Sequence, residues 1–150
     1  MKRLLIVLLV LTATACGVRP TDVIEGDPAP TEEEITEGTV LYFLQGATLT
    51  RVVRPPSDKP LLELLAQGPT PEEQAEGLTT EIPQNASPIT LVPATNGTTV
   101  RVASRLKDLS PLAQSQLVCT AITPDQPPGV EIILEDATET LPPQRCPFEA

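Results

Sequence analysis

Cysteine, histidine and the carboxylates decide which reactions this chain could catalyse. The 150-residue sequence contains no histidine, which excludes Ser-His and Cys-His nucleophile pairs and the common zinc sites. Its three cysteines are Cys16, Cys119 and Cys146. No glycine-rich phosphate loop follows a predicted strand. We therefore expect a non-catalytic protein with no metal site and no cofactor.

Two carboxylates facing each other across a cleft are what glycoside hydrolysis requires. Asp108 and Glu131 would form such a pair if the fold brought them together, but nothing in their spacing selects them. Glu73 is better explained by a helix cap, and Glu135 with Asp136 by a turn. A glycan hydrolase is therefore a weaker hypothesis than the two non-catalytic functions given at the end of this subsection.

The first cysteine follows an export signal. Two basic residues precede an apolar segment at 4–11, and small residues at 13–15 come directly before Cys16. That apolar segment is far shorter than the ~20 residues that span a bilayer. A cysteine after small residues is typical of a bacterial lipobox, although Ala13 stands where leucine is most common. We predict a signal peptide over residues 1–15 and lipidation of Cys16, with an ordinary signal peptide as the alternative.

Lipidation would anchor the protein to the cell membrane on its extracytoplasmic face. Removing Lys2 and Arg3 with the signal peptide leaves 8 basic and 20 acidic residues, a formal net charge of −12. Nucleic acid is an unsuitable partner for such a surface. Residues 16–37 join the acylated cysteine to a linker rich in proline and glutamate, which favours an extended chain.

Residues 38–141 alternate between strand-like and helix-like patterns and are followed by a tail at 142–150. Apolar helical spacing begins at Leu61, and a second helix begins at Pro111 with Asp108 or Ser110 as its cap. Asn96-Gly97 is a hairpin turn signal. The β-type segments are 39–44, 48–53, 89–92, 98–103 and 130–134. This order predicts an α+β domain, with two main helices on one face of a small mixed or antiparallel sheet.

The segment 61–83 is dense in residues that begin and end helices. Gly68 is placed to adopt the left-handed conformation that ends the first helix. Thr70 can cap a further short helix directly after this break, and Glu73 can reach back to the Thr70 amide as a capping box. The residues of this motif are Gly68, Pro69, Thr70, Glu73, Gly77 and Pro83.

Two stretches of the chain resemble the GerMN domain, a module of bacterial sporulation and germination lipoproteins and of lipoproteins associated with two-component sensor kinases. The resemblance covers residues 40–137 and implies an α+β fold and an envelope or membrane protein partner. Neither motif contains a reactive group, so we interpret both as structural. The matching residues are Leu62, Leu65, Gly68, Pro69, Thr70, Glu73, Gly77, Ile82 and Pro83, followed by Gln116, Leu117, Val118, Thr120, Pro128, Gly129 and Val130.

With Cys16 lipidated, Cys119 and Cys146 remain. An even pair of cysteines in an exported domain predicts a disulfide that holds the C-terminal tail. The alternative is a buried free thiol at Cys119 and a disordered tail around Cys146.

These observations lead to a functional prediction. We expect a lipid-anchored, non-catalytic cell-envelope protein whose domain mediates protein–protein interaction or assembly. By resemblance, it would serve a sensor kinase or a sporulation or envelope complex. The alternative is a module that binds a small ligand or a cell-wall fragment. A pocket with convergent polar groups would favour ligand binding, and a flat apolar face would favour docking.

Overall fold

The computed structural model describes residues 38–94, 97–127 and 129–147. Within these ranges, no helix is both long enough and apolar enough to cross a bilayer. Several predictions fall on residues that the structure does not describe: the signal peptide 1–15, Cys16 and its linker to residue 37, Asn96, Pro128, and residues 148–150.

Short helices and strands follow one another along the described chain, which confirms the predicted α+β class. Two single 3₁₀ turns, Gln84–Ala86 and Leu106–Asp108, lie between them. In chain order the elements are β1 (Thr39–Gln45), β2 (Thr48–Arg54), α1 (Leu61–Ala66), α2 (Pro71–Ala75), β3 (Leu78–Thr79), β4 (Thr90–Ala94), β5 (Gly97–Arg101), α3 (Pro111–Thr120) and β6 (Ile132–Glu135).

The strands form two three-stranded sheets, a division that the sequence does not indicate. The first sheet has the order β2-β1-β3 and is antiparallel. Its hairpin runs from the pair Thr39–Arg54 to the pair Gln45–Thr48. The second sheet has the order β4-β5-β6, with β4 antiparallel and β6 parallel to β5. Parallel neighbours require a long crossover connection, and α3 provides it.

Helix α3 joins the two sheets. It packs against β1 and β2 of the first sheet, β6 of the second, and α1. The core around it consists mainly of leucine, isoleucine and valine, and full burial of each such side chain contributes about 1.5–3 kcal/mol. Its largest fully buried apolar side chains are Phe43, Leu41, Leu44, Leu62, Leu65, Leu106, Leu117, Ile132 and Leu134.

Some element boundaries differ from those predicted. Helix α3 is capped by Ser110, whose Oγ accepts a hydrogen bond from the Ala113 amide at 3.0 Å. Asp108 instead ends the preceding 3₁₀ turn. Strand β6 begins at Ile132, two residues later than expected.

Gly97 lies inside β5 rather than at the hairpin turn. It pairs with Ala94 across the hairpin, so residues 95 and 96 connect the two strands. A Cβ atom on Gly97 would overlap the carbonyl oxygen of Glu131, which enters β6. The glycine is therefore required by the close approach of two backbones.

The tail after β6 is attached to the domain. The backbone N–H and C=O of Gln144 both bond to Ile132, at 2.9 and 2.8 Å. Thr140 forms a single bridge with Glu135. The chain from Thr140 to Cys146 therefore packs along β6.

Candidate functional site

The break between α1 and α2 has the conformation that its sequence predicts. Gly68 has φ +80°, and its amide bonds to the Leu65 carbonyl at 3.0 Å. The carbonyl of Pro69, which is itself buried, accepts a 2.8 Å bond from Gln74 Nε2. Gly77, with φ +88°, ends the second helix in the same way. The glycines and the proline of this motif therefore shape the backbone.

The predicted capping box at the start of α2 is confirmed. The Glu73 amide donates to Thr70 Oγ1 at 3.3 Å, and Glu73 Oε2 accepts from the Thr70 amide at 2.8 Å. Two N–H groups of the helix start are satisfied reciprocally, as this motif requires. Both polar side chains are therefore engaged within the domain.

Sequence reasoning missed the partner of this cap, Arg54 at the end of β2. Its guanidinium donates to both carboxylate oxygens of Glu73, at 2.9 and 2.5 Å, and to the Gly68 carbonyl at 3.0 Å. It also lies over the ring of Phe43, 5.0 Å from the centroid. No local signal reveals this contact, because Arg54 precedes Glu73 by 19 residues.

The contact with Arg54 changes the ionisation of Glu73. Side-chain hydrogen bonding to Arg54 lowers the pKa of Glu73, and the Thr70 amide lowers it further against the opposing effect of desolvation. Both side chains are only 15% exposed. Glu73 thus links β2 to the break between α1 and α2, and it has a structural role.

Gln116, the predicted motif residue on α3, is completely buried at 0% exposure. Its Nε2 donates to the Tyr42 carbonyl on β1, and its Oε1 accepts from the Glu81 amide, both at 3.0 Å. One turn later on α3, Thr120 Oγ1 accepts from the Tyr42 amide at 3.0 Å. Side chains of α3 therefore satisfy the backbone of β1 where β3 no longer pairs with it.

The two cysteines within the described residues form a disulfide. Cys119 in α3 and Cys146 in the tail have Cα atoms 4.8 Å apart and are separated by 27 residues. Both are buried. The bond holds the tail against α3, as the even pair of cysteines predicts.

Asp136 is a buried carboxylate that the sequence places in a turn without indicating its burial. It is 6% exposed, and its Oδ2 accepts from the Leu106 amide at 2.6 Å. Its Oδ1 accepts from the amides of Thr138 and Glu139, at 2.6 and 2.8 Å, and from the Thr138 hydroxyl at 2.8 Å. These bonds, with that of Leu106 as the largest cause, hold the pKa of Asp136 well below its usual range.

The two carboxylates considered for glycan hydrolysis have separate surroundings. Glu131 pairs with Arg145 at 2.9 Å, and Asp108 is exposed in a 3₁₀ turn. Across residues 38–94, 97–127 and 129–147, no group of three or more acidic or cysteine side chains is arranged to hold a metal ion.

The strongest candidate site is an open cleft of about 730 Å³ between the start of α1 and the chain that enters β4. Its lining is mostly apolar, and Glu63 is the one charged residue among the described residues that form its walls. The lining residues are Pro60, Leu61, Leu62 and Glu63 on one side, and Ser87, Pro88, Ile89, Thr90 and Leu91 on the other.

The cleft borders an edge strand with unused backbone groups. In β5, the Thr98 amide bonds towards β6. The backbone groups of the next residue, Thr99, therefore point towards β4, where Thr99 pairs with Val92. Because backbone groups alternate in direction along a strand, Leu91 points its N–H and C=O away from β5. Within the described part of the chain, neither group has a hydrogen-bond partner. This apolar cleft with an open strand edge is the candidate site.

Comparisons with known proteins add no family assignment. No protein-family model, no curated protein and no solved structure matches this chain.

Proposed function

We propose that the chain is a lipid-anchored, non-catalytic cell-envelope protein whose domain docks onto another envelope or membrane protein. The observation that carries this proposal is the 730 Å³ apolar cleft beside the open edge of β4. Exposed apolar surface with polar surroundings is typical of interaction sites. The docking surface is therefore the cleft.

The sequence supports the location and the type of partner. An export signal ending at Cys16 and a charged linker would hold the domain outside the membrane. The resemblance to GerMN domains of sensor-kinase and sporulation lipoproteins favours an envelope complex. The residues that carry this resemblance, including Gly68, Thr70, Glu73 and Gln116, bond within the domain. They maintain the fold, and the contact with a partner is assigned to the cleft instead.

The polarity of the cleft favours docking over a small ligand. Sites for small molecules combine an apolar wall with a few converging polar groups that fix orientation. Here the polar lining residues, Glu63, Ser87 and Thr90, are all exposed. An exposed polar rim around apolar side chains is the arrangement of a protein interface.

Site-specific crosslinking in living cells tests the proposal. A photoreactive amino acid replaces Thr90 in the cleft or, as a matched control, the exposed Thr140 outside it. We expect Thr90 to capture one dominant envelope protein and Thr140 not to, and we expect Cys16→Ser to abolish the capture. Capture of cell-wall material would support the ligand-binding alternative. Equal capture at both positions, or none, would contradict docking at the cleft.

A further inference from the structure

We infer that the cleft accepts an extended polypeptide segment that adds as a fourth strand to β4 and places a lysine or arginine opposite Glu63. This inference rests on the proposed docking function and specifies the chemistry of the partner. The partner strand would carry apolar side chains at alternate positions, facing Leu61 and Leu91, which line the cleft and are partly exposed.

The backbone of β4 favours an extended partner over a helical one. The N–H and C=O of Leu91 point away from β5 and have no partner in the described part of the chain. A helix satisfies its own backbone and would leave both groups unpaired, whereas a strand would bond to them. Pro93 cannot donate a hydrogen bond, and proline is tolerated on an edge strand where its nitrogen faces outwards. Pairing is therefore centred on Leu91.

The negative charge of Glu63 and of the whole chain favours basic side chains in the partner segment. Glu63 is exposed in the first turn of α1 and lines the cleft. No lysine or arginine of the described residues forms an ion pair with it. Residues 16–150 carry a formal net charge of −12, so an acidic segment would be repelled. A basic side chain opposite Glu63 would complement both the local and the overall charge.

The other long edge strand, β2, is a weaker candidate. The backbone of Tyr42 on β1, which lies opposite Arg51, bonds to α3 and therefore points away from β2. The backbone groups of Arg51 consequently point outwards from the edge of β2, as do those of Leu49 and Val53. A charge or a proline on an edge strand limits strand addition. Arg51 lies at the centre of the β2 edge, whereas Pro93 lies next to the end of β4. The 730 Å³ cleft borders β4 and not β2.

The test is selection of a phage-displayed library of random 12-residue peptides on the mature chain carrying Cys16→Ser. We expect the enriched peptides to alternate apolar residues and to share a lysine or arginine. Such a peptide, added to the labelled chain, should slow hydrogen exchange of the Leu91 amide and leave the outward-facing Arg51 amide of β2 unchanged.

A charge reversal makes the test specific to the cleft. Glu63→Arg should lower affinity for the selected basic peptides roughly five- to tenfold and shift a new selection towards acidic residues. Glu72→Arg is the matched control, because Glu72 is exposed on α2 and does not line the cleft. It should change neither the affinity nor the selected sequences.

Several outcomes would overturn the inference: no enriched peptides, helical peptides, an affinity that Glu63→Arg does not change, or unchanged hydrogen exchange of the Leu91 amide. The crosslinking experiment separates this failure from that of the proposed function. If Thr90 captures a protein while selection gives no strand-forming peptides, the docking function stands and strand addition is wrong. If Thr90 captures no protein, both are wrong.

Discussion

The Tyr42 carbonyl on β1 accepts a hydrogen bond from the side-chain amide of Gln116 on α3, 3.0 Å away. In the register of β1 and β3, Leu44 opposes Thr79, so continued pairing would place Glu81 opposite Tyr42. The amide of Gln116 lies between these two backbone groups and bonds to each. One buried side chain thus replaces a direct strand pair and ties α3 to the first sheet.

Gln116→Leu should destabilise the domain strongly. The substitution keeps most of the volume but removes the side-chain hydrogen bonds to the Tyr42 carbonyl and the Glu81 amide. An unsatisfied buried polar group costs about 1–3 kcal/mol, so we expect a loss of about 2–4 kcal/mol in the free energy of unfolding, measured by urea denaturation.

Gln84→Leu is the control for that substitution. Gln84 is exposed, and its side chain makes no hydrogen bond among the described residues. Its substitution should change stability by less than about 0.5 kcal/mol. Equal effects of the two substitutions would contradict the bridging role of Gln116.

The Arg54–Glu73 pair should contribute to stability in a pH-dependent way. Hydrogen bonding to Arg54 lowers the pKa of Glu73, so its contribution is complete above the unfolded value of ~4.3 and is lost as pH falls through the folded value. A double-mutant cycle with Arg54→Met and Glu73→Gln should give a coupling energy of about 2 kcal/mol at pH 7. The coupling should decrease below about pH 4.

The exposed pair Arg101–Glu135 provides the comparison. Its side chains are 54% and 32% exposed, and such surface pairs contribute about 0.2–1 kcal/mol. The same cycle on Arg101 and Glu135 should therefore give a clearly smaller coupling. Similar values for the two pairs would show that Arg54 does not stabilise the cap of α2.

Asp136 should make the domain sensitive to acid. Its carboxylate bonds to three backbone amides, and the pKa of Asp136 lies well below its usual range. Its stabilising effect is therefore complete above the unfolded value of ~3.9 and is lost as pH falls towards the folded value. Asp136→Asn should lower the thermal midpoint at pH 7, and its difference from the wild type should narrow below about pH 4. The exposed Asp58→Asn should have no effect, and a constant difference at Asp136 down to pH 2 would contradict this prediction.

The disulfide should stabilise the domain by restricting the unfolded chain. Closing a loop with the Cys119–Cys146 separation of 27 residues contributes about 3.5 kcal/mol on the chain-entropy model. Dithiothreitol should therefore lower the urea midpoint of a chain of residues 16–150 that carries Cys16→Ser. The double variant Cys119→Ala/Cys146→Ala should be less stable and insensitive to dithiothreitol. Two free thiols in the untreated chain would contradict the bond.

Interactions that are local in the sequence were predictable. Those between distant segments were not, except the disulfide, which the even pair of cysteines outside residue 16 indicates. The capping box joins Thr70 to a residue three positions later, so spacing alone indicates it. Arg54 bonds to Glu73, 19 residues away, and Asp136 bonds to Leu106, 30 residues away. The spacing of apolar and polar residues does not indicate contacts over such separations. Strand β3 has two residues, too few for a pattern to appear. The sequence therefore predicts the helix ends and the disulfide but not the two-sheet arrangement.

The cleft is a further feature that the sequence does not reveal. Leu61 and Ile89 read as ordinary core residues of a helix and a strand, and only the packing of α1 beside β4 leaves an apolar space between them. Whether a strand lies at the edge of a sheet depends on topology, which spacing does not specify. The open edge at Leu91 therefore became visible only in the fold.

The most direct test of the docking proposal is hydrogen exchange of residues 87–94 in the membrane fraction of cells that express the chain. Exchange would be measured in native membranes and, separately, in the purified mature chain. If a partner occupies the cleft, amides from Ile89 to Val92 should exchange at least about tenfold more slowly in membranes, whereas residues 138–141 should be unchanged. Identical exchange at 87–94 in both samples would contradict the docking role of the cleft.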